Sequence, residues 1–264
     1  MAFFNFNFDK PGPGVPENAP RKKGLPRFWE MFTRDGTAFW CAGMLALLGA
    51  VPYMAGVWFA VTTHAVLPLL LAGVVGGAVM APQLVGLNDT ILRSLRDEPG
   101  YWWATYRRAW KRNAKASLLP GAVFGLLLGA EIFSLFHTEW SQNPVLIAVV
   151  FVGVFLLLGM ALLTFTQVAL LEMNFAGILR NALLLLLGYL PRAALAVLWL
   201  VLYAAAIALF FPLSVPAVLL LNLWLPLQAA LQAVYPGLEK SFDLEKKIKA
   251  IRDASLNDTD GADR

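Results

Sequence analysis

Long uncharged apolar runs dominate the chain. No Asp, Glu, Lys or Arg occurs among the 53 residues from 36 to 88, or among the 46 residues from 193 to 238. A membrane-spanning helix needs about 20 apolar residues to cross roughly 30 Å of hydrocarbon, so each run has room for two crossings and a turn. The runs are continuous rather than alternating, which favours helices over a β-barrel. The pattern predicts an all-α, polytopic membrane protein.

The boundaries of the apolar runs predict about six transmembrane helices. They lie at about 38–61, 66–87, 117–136, 144–171, 193–212 and 214–235. A Pro/Gly-rich segment and a short amphipathic helix, "LPRFWEMFTRD", precede them, and a charged helix with an acidic tail follows. We therefore expect three parts: a cytoplasmic N-terminal segment (1–35), a six-helix transmembrane domain (36–236) and a cytoplasmic helix and tail (237–264).

Composition and charge agree with this organisation and add an orientation. Only 14% of the residues are charged and 59% are hydrophobic, whereas soluble domains carry about 25% charged residues. With the N-terminus inside, the outer connections are "TTHA", "HTEWSQN" and "FPLSVP", which lack Lys and Arg. All 21 basic residues then fall on the inner side or at its edge. Because cytoplasmic loops carry the excess of basic residues, both termini are expected to be cytoplasmic.

A basic and aromatic segment precedes the third predicted crossing. Projected on a helix, its cations fall within an arc of about 140°: Arg107, Arg108, Lys111, Arg112 and Lys115. Its aromatics fall within about 100° on the opposite side: Trp102, Trp103, Tyr106 and Trp110. Nucleic-acid strips need both on one accessible face, so we expect no nucleic-acid partner. The segregation is typical of a helix on the membrane surface, with cations facing anionic lipid headgroups or a docked protein.

A similar arrangement precedes the fifth predicted crossing. At an offset of 77 residues, Lys115 aligns with Arg192 and Ala116 with Ala193. We read two cytoplasmic amphipathic elbow helices, the second much more apolar, and a possible internal repeat. The match is short, and coincidence between apolar segments remains the alternative.

Polar residues inside predicted crossings are the remaining candidates for function. They are Glu131, Gln167, Glu172, Asn181 and Asn222. Glu131 has two interpretations, a side chain that reaches water at the outer end and a proton- or cation-coupling group. Glu172 is expected to pair with Arg180 or Arg192. Gln167 and Asn222 are expected to hydrogen-bond between helices.

Motifs for catalysis and for cofactors are missing from the sequence. It contains neither a P-loop nor a serine-centred nucleophile elbow. His64 and His137 have no neighbouring Cys or carboxylate, so we interpret them as lone surface histidines and expect no metal site. "GVVGGAVM" predicts a close approach between two helices. We expect a protein that is not an enzyme, with no catalytic residues and no cofactor.

Three stretches resemble the YesL-like proteins, a family of bacterial integral membrane proteins that carry a domain of unknown function. They are "FDKPGPGV" with "RFWEMFTRD", "LRSLRDEPGYWWATYRRAWKRNAKASLL" and "ILRNALLLLLGYLPRAALAVL", and the resemblance covers roughly residues 3 to 236. Members typically accompany carbohydrate uptake systems, often near ABC importer components. The family has no established catalytic residues.

The resemblance implies a non-enzymatic accessory protein of ABC-type carbohydrate uptake or its regulation. It also implies location in the bacterial cytoplasmic membrane. The implied partners are the lipid bilayer, anionic lipid headgroups and possible ABC importer subunits. Two alternatives stay open, a small transporter or permease-like subunit that moves a solute itself, and a structural protein that organises lipids.

Overall fold

The computed structural model describes residues 21–98, 100–137, 139, 143–247 and 250, and this part of the chain is almost entirely helical and contains no strand. Its helices, in chain order, are α1 Leu25–Thr63, α2 Val66–Leu71, α3 Gly77–Leu95, α4 Trp102–His137, α5 Pro144–Leu170, α6 Phe175–Gly188, α7 Leu190–Leu209, α8 Val215–Leu221 and α9 Trp224–Phe242. A π-helical turn, Ala72–Gly76, joins α2 and α3 into one rod, Val66–Leu95.

The structure confirms the predicted all-α polytopic architecture. Among the described residues, five helices are long and apolar enough to cross a membrane: α1, the α2–α3 rod, α4, α5 and α7. A sixth span arises if α8 and α9, which meet at an angle of 52°, are counted together. The protein is therefore a multi-pass membrane protein.

Two of the spanning helices are much longer than the predicted crossings. The expected amphipathic helix at 25–35 is the beginning of α1, which has 39 residues. The first expected elbow is the beginning of α4, which has 36 residues and continues through Pro120. At 1.5 Å per residue, both helices exceed 50 Å, against about 30 Å of hydrocarbon. Each therefore projects well beyond the lipid core.

The second elbow, in contrast, is a separate helix. α6 ends at Gly188, and Tyr189 adopts non-helical angles (φ −124°, ψ 40°) before α7 begins. Pro191 lies in the first turn of α7, where its missing N–H and its ring prevent the preceding helix from continuing. The aligned position in the first unit is Ala114, a strong helix former, so the two units differ in the structure.

Glycines bring α3 and α4 into direct backbone contact. A Cβ atom built on Gly77 would lie 2.3 Å from the carbonyl oxygen of Gly121, and one on Gly125 would lie 2.4 Å from that of Gly73. Only glycine permits this approach. The prediction of close helix packing at "GVVGGAVM" is confirmed, and α3 and α4 form the largest helix–helix interface in the described chain.

The helix ends define two ends of the bundle. One end, which we call the basic end, contains the start of α1, the α3–α4 turn, the α5–α6 connection and the end of α9. It carries the Lys and Arg residues of the described chain. α9 ends at Phe242, where Asp243 takes a left-handed conformation (φ 48°) and interrupts the predicted C-terminal charged helix. The predicted segment 1–20 and the tail beyond residue 250 lie outside the described residues.

Candidate functional site

Four cations of the basic segment form an exposed row on the first turns of α4. Arg107, Lys111 and Lys115 follow at four-residue intervals and share one side of the helix, with Arg108 beside them. We call these four residues the basic face. All four are exposed, and none forms an ion pair with a described carboxylate. Within the described part of the chain, no carboxylate neutralises these four charges.

The aromatic side of the same segment packs largely on the protein. Tyr106 is buried and lies against Gly86 of α3, where an added Cβ would stand 2.6 Å from its ring. Trp110 is partly buried and donates from Nε1 to Oε1 of Gln83 at 2.8 Å. Trp102 packs against the core, and Trp103 remains 44% exposed. Tyr106 is thus a core residue, and α3 occupies most of the side expected to face lipid.

Arg112 belongs to the bundle more than to the basic face. Its Nη2 donates to the carbonyl oxygen of Ala169 at 3.0 Å and lies 3.8 Å from Oδ1 of Asp89. Asp89 is buried and also pairs with Arg93 at 2.8 Å. A cation at the last carbonyls of α5 is favoured by the helix dipole. Arg112 therefore ties α4 to α3 and to the end of α5.

Arg192 lies at the start of α7, away from α4. It is exposed, and its guanidinium carbon stands 5.9 Å from the centre of the Tyr189 ring. Glu172 is also exposed and forms no ion pair with Arg180 or Arg192 in the described chain. The expected pairing of Glu172 is wrong, because an exposed carboxylate is already solvated and gains little from a surface partner.

Glu131 and Gln167 occupy different environments on neighbouring helices. Glu131 is partly buried near the opposite end of α4, where Oε1 lies 3.2 Å from the position of a Cβ added to Gly153. Gln167 is fully buried in α5, and its Nε2 donates to the carbonyl of Leu163, four residues earlier in the same helix, at 3.2 Å. The expected bond between helices is replaced for Gln167 by this bond within its own helix.

Asn222 lies at the break between α8 and α9. It is fully buried with a φ of 27°. Its Oδ1 accepts from the backbone N–H of Trp224 at 3.0 Å, and its Nδ2 donates to the carbonyl of Trp40 in α1 at 3.4 Å. Tyr203 of α7 donates to its carbonyl at 2.6 Å. Asn222 therefore makes the hydrogen bonds between helices that its sequence position predicted.

The two histidines meet at the end of the bundle opposite the basic end. The His64 and His137 rings lie 4.4 Å apart, centre to centre, in an edge-to-face arrangement. Nδ1 of His137 lies 2.7 Å from the carbonyl of Phe133. The interpretation as two lone histidines is wrong, because the ends of α1 and α4 are adjacent in space. No cluster of three or more metal-ligating side chains occurs among the described residues.

The most densely connected polar cluster at the basic end surrounds Asp97, in the α3–α4 turn. Arg27 donates to its Oδ1 at 2.8 Å and Nε of Arg21 lies 2.8 Å from its Oδ2, while Arg34 also bonds to Oδ1. Arg21 further pairs with Glu245, which follows α9. This arginine network joins the beginning of α1, the α3–α4 turn and the segment after α9.

Electrostatics in the arginine network favour the charged form of Asp97. Partial burial would raise the pKa of its carboxyl group. The hydrogen bonds and positive charges of Arg34 and Arg27 outweigh burial, so the pKa of Asp97 lies below its usual value. Arg27 is itself buried and also donates to the carbonyl of Leu95 at 2.9 Å. Both carboxylate oxygens of Asp97 bind arginines, so Asp97 holds these helix ends together and has no free oxygen for acid–base chemistry.

Sequence reasoning missed the arginine network, although one signal was present. Arg27 and Arg34 are seven residues apart and therefore lie on one side of a helix, two turns from each other. What the sequence did not show is that α1 passes the α3–α4 turn.

Comparisons with protein-family models, with curated proteins and with solved structures found no match to this chain. The resemblance to YesL-like proteins therefore stays a prediction.

Proposed function

We propose that this multi-pass protein is a non-enzymatic accessory subunit of a carbohydrate uptake system, and that it holds an acidic protein partner at the basic face. The observation that carries the proposal is the row of four exposed cations on α4, none of which pairs with a carboxylate in the described part of the chain. The link to carbohydrate rests on the sequence resemblance alone.

The support of α4 makes the basic face suitable for docking. The helix is continuous from Trp102 to His137, and Tyr106 and Trp110 fix its other side to α3. The arginine network holds the α3–α4 turn in place, and Arg112 ties α4 to the end of α5. Cations on a rigid support lose less conformational freedom on binding, which favours association.

The position of the basic face favours a protein over lipid headgroups. An interfacial helix lies in the membrane plane with its apolar side in the acyl chains. The corresponding side of α4 instead packs on α3, and the long helix carries the basic face beyond the lipid core. Carboxylates of a partner placed opposite the basic face would gain charge-assisted hydrogen bonds from two arginines.

Co-purification from native membranes tests the proposal. A tagged wild-type protein is extracted in mild detergent beside two variants, R107E/R108E/K111E and K240E/K246E/K247E. The second variant is the matched control, because it places the same charge change at the basic end, in exposed residues that form no ion pair within the described chain. Both carry the same risk to membrane insertion.

We expect importer permease, ATPase or sugar-binding subunits with the wild type and the control, and at least a tenfold loss with the basic-face variant. Equal recovery with both variants would contradict docking at the basic face. Recovery of anionic lipid alone, with no importer subunit, would overturn the accessory function and make the basic face a lipid site.

A second candidate, a transporter, has one observation in its favour. The break between α8 and α9 places a discontinuous helix in the bundle, a feature that forms binding sites in many transporters. The side-chain amide of Asn222 at the break, however, already hydrogen-bonds to Trp224 and Trp40, which leaves it poorly suited to bind a solute. Sugar flux into liposomes containing only this protein would establish the transporter function.

A further inference from the structure

A partly open cavity of about 120 Å³ lies in the interior of the helix bundle. Side chains of five helices surround it: α3, α4, α5, α7 and α9. Its walls include Met80, Phe124, Ala161, Phe165 and Leu200. These five residues all lie within the predicted crossings at 66–87, 117–136, 144–171 and 193–212, which places the cavity at the depth of the hydrocarbon core. It is separate from the basic face and from the arginine network.

One polar side chain interrupts the apolar walls. Among the described residues that line the cavity, Asn88 of α3 alone has a polar side chain. It is 2% exposed, and its Oδ1 is buried with no hydrogen-bond partner in the described chain. A buried amide oxygen without a partner is destabilising, because it has lost its hydrogen bonds to water and gained none in return. The site therefore has an unmet hydrogen bond beside an apolar space.

The composition of the walls decides which occupant fits. An ordered water needs two to four polar partners, and the lining offers only the Asn88 side chain. A pure hydrocarbon would fill the space and offer no hydrogen bond to the Asn88 amide. A hydroxyl group both donates and accepts, so it satisfies the Asn88 amide in either orientation.

The volume sets the size of the occupant. An apolar cavity of roughly 150 Å³ takes up benzene, so about 120 Å³ suits a short chain or a single ring. We propose that the cavity binds a small, mostly apolar alcohol, or the hydroxyl end of a longer one, with its hydroxyl group hydrogen-bonded to the side-chain amide of Asn88.

Two further residues of α4 continue a polar stripe from the cavity towards the basic end. Ser117 and Asn113 lie one and two turns from Gly121, which lines the cavity, on the same side of the helix. Both are buried, and Nδ2 of Asn113 also lacks a partner in the described chain. The polar end of the cavity therefore faces the basic end, and a bound alcohol points its hydroxyl in that direction.

Photolabelling of the full-length protein in lipid nanodiscs tests the proposal. The probe is a diazirine-bearing hexanol, and labelled residues are mapped by mass spectrometry. On the wild type we expect labels within 80–88, 121–128 and 158–165. Unlabelled hexanol and hexane then compete with the probe, and the concentration of each competitor in the membrane is measured. Half-maximal competition should need at least about threefold less hexanol than hexane, the difference expected for one neutral hydrogen bond.

Two variants and one control locate the site. A161F fills the cavity and should abolish these labels, and N88L should remove the preference for hexanol over hexane. V79F adds the same ring at an exposed position of α3 and should leave labelling unchanged. The wild-type competition decides the matter even if A161F does not fold. Equal competition by hexanol and hexane, or labels confined to outward residues such as Val79, would overturn the proposal.

Discussion

Arg27 and Asp97 are 70 positions apart in the chain, and an ion pair of 2.8 Å joins them at the basic end of the bundle. Arg27 is buried, so its charge has lost most of its hydration and depends on Asp97, on Glu30 at 3.1 Å and on backbone carbonyls. The pair fastens the start of α1 to the α3–α4 turn, and α4 carries the basic face directly after that turn.

Neutralising Asp97 should destabilise the protein. Asp97→Asn removes the charge but tolerates the left-handed backbone at this position, φ 59°. Arg27, Arg34 and Arg21 would lose their shared counter-charge, and we expect a loss of about 1–3 kcal/mol in the free energy of unfolding. Unfolding in mixed detergent micelles measures it. Asp243→Asn is the control, also left-handed (φ 48°) and exposed, and a similar loss there would show that the charge of Asp97 is unimportant.

The contribution of Asp97 should also disappear in acid. Its pKa in the folded protein is lower than the ordinary value of 3.8, so the unfolded chain binds the proton more readily. The stabilisation is therefore fully present above about pH 4 and is lost as the pH falls through the lower, folded pKa. We expect the difference in unfolding free energy between wild type and D97N to be constant from about pH 7 to pH 5 and to shrink below pH 4. A difference that grows in acid would reverse the assigned direction of the shift.

Periodicity and charge predicted where the helices cross the membrane, but not how far α1 and α4 continue past the predicted crossings. The crossing at 144–171 matches α5, Pro144–Leu170, within one residue, because Asn143 and Pro144 mark the start of a helix. The crossing at 117–136 matches only part of α4, since hydropathy changes at Lys115 while the backbone continues as a helix. Hydropathy reports the solvent around a segment, whereas helix continuity depends on local hydrogen bonds.

Contacts between distant segments could not be derived from one sequence. The helical projection placed Tyr106 and Trp110 correctly on the side opposite the basic face. It could not show that Gly86 and Gln83 of α3 would cover that side in place of lipid. In the same way, Asn222 was recognised as an intramembrane polar residue, but its carbonyl and amide partners lie on α1 and α7.

The packing of Gly43 on Asn222 gives a steric prediction. A Cβ on Gly43 would stand 1.8 Å from Oδ1 of Asn222, so Gly43→Ala should displace the break between α8 and α9. We expect a destabilisation of about 1–3 kcal/mol. Gly36→Ala in the same helix meets only the Phe32 ring at 3.4 Å and should be neutral or stabilising by up to about 1 kcal/mol.

A double variant distinguishes this clash from a general loss of helix packing. Asn222→Gly removes the side chain and tolerates the positive φ. If the clash is the cause, G43A/N222G should be more stable than the sum of the two single effects implies. Strictly additive effects in the same unfolding assay would contradict a direct contact between the two residues.

Lys111 and Arg112 are adjacent cations that the sequence assigns to the same helix face, but in the structure only Arg112 contacts α3 and α5. Arg112→Ala removes a hydrogen bond to the end of α5 and leaves buried Asp89 with Arg93 as its remaining ion-pair partner in the described chain. We expect a loss of about 1–2 kcal/mol in stability. Lys111→Ala removes an exposed cation that has no ion pair in the described part of the chain and should change stability by less than about 0.5 kcal/mol.

The same two variants should reverse their order in the co-purification assay. Lys111 belongs to the basic face, so K111A should reduce recovery of the partner while the protein stays as stable as the wild type. R112A, examined at a temperature where it remains folded, should recover the partner nearly normally, because its guanidinium already binds Ala169 and Asp89. If R112A alone lost the partner, the docking surface would include Arg112 and the side of α4 that faces α3 and α5. This result would contradict docking at the basic face as defined here.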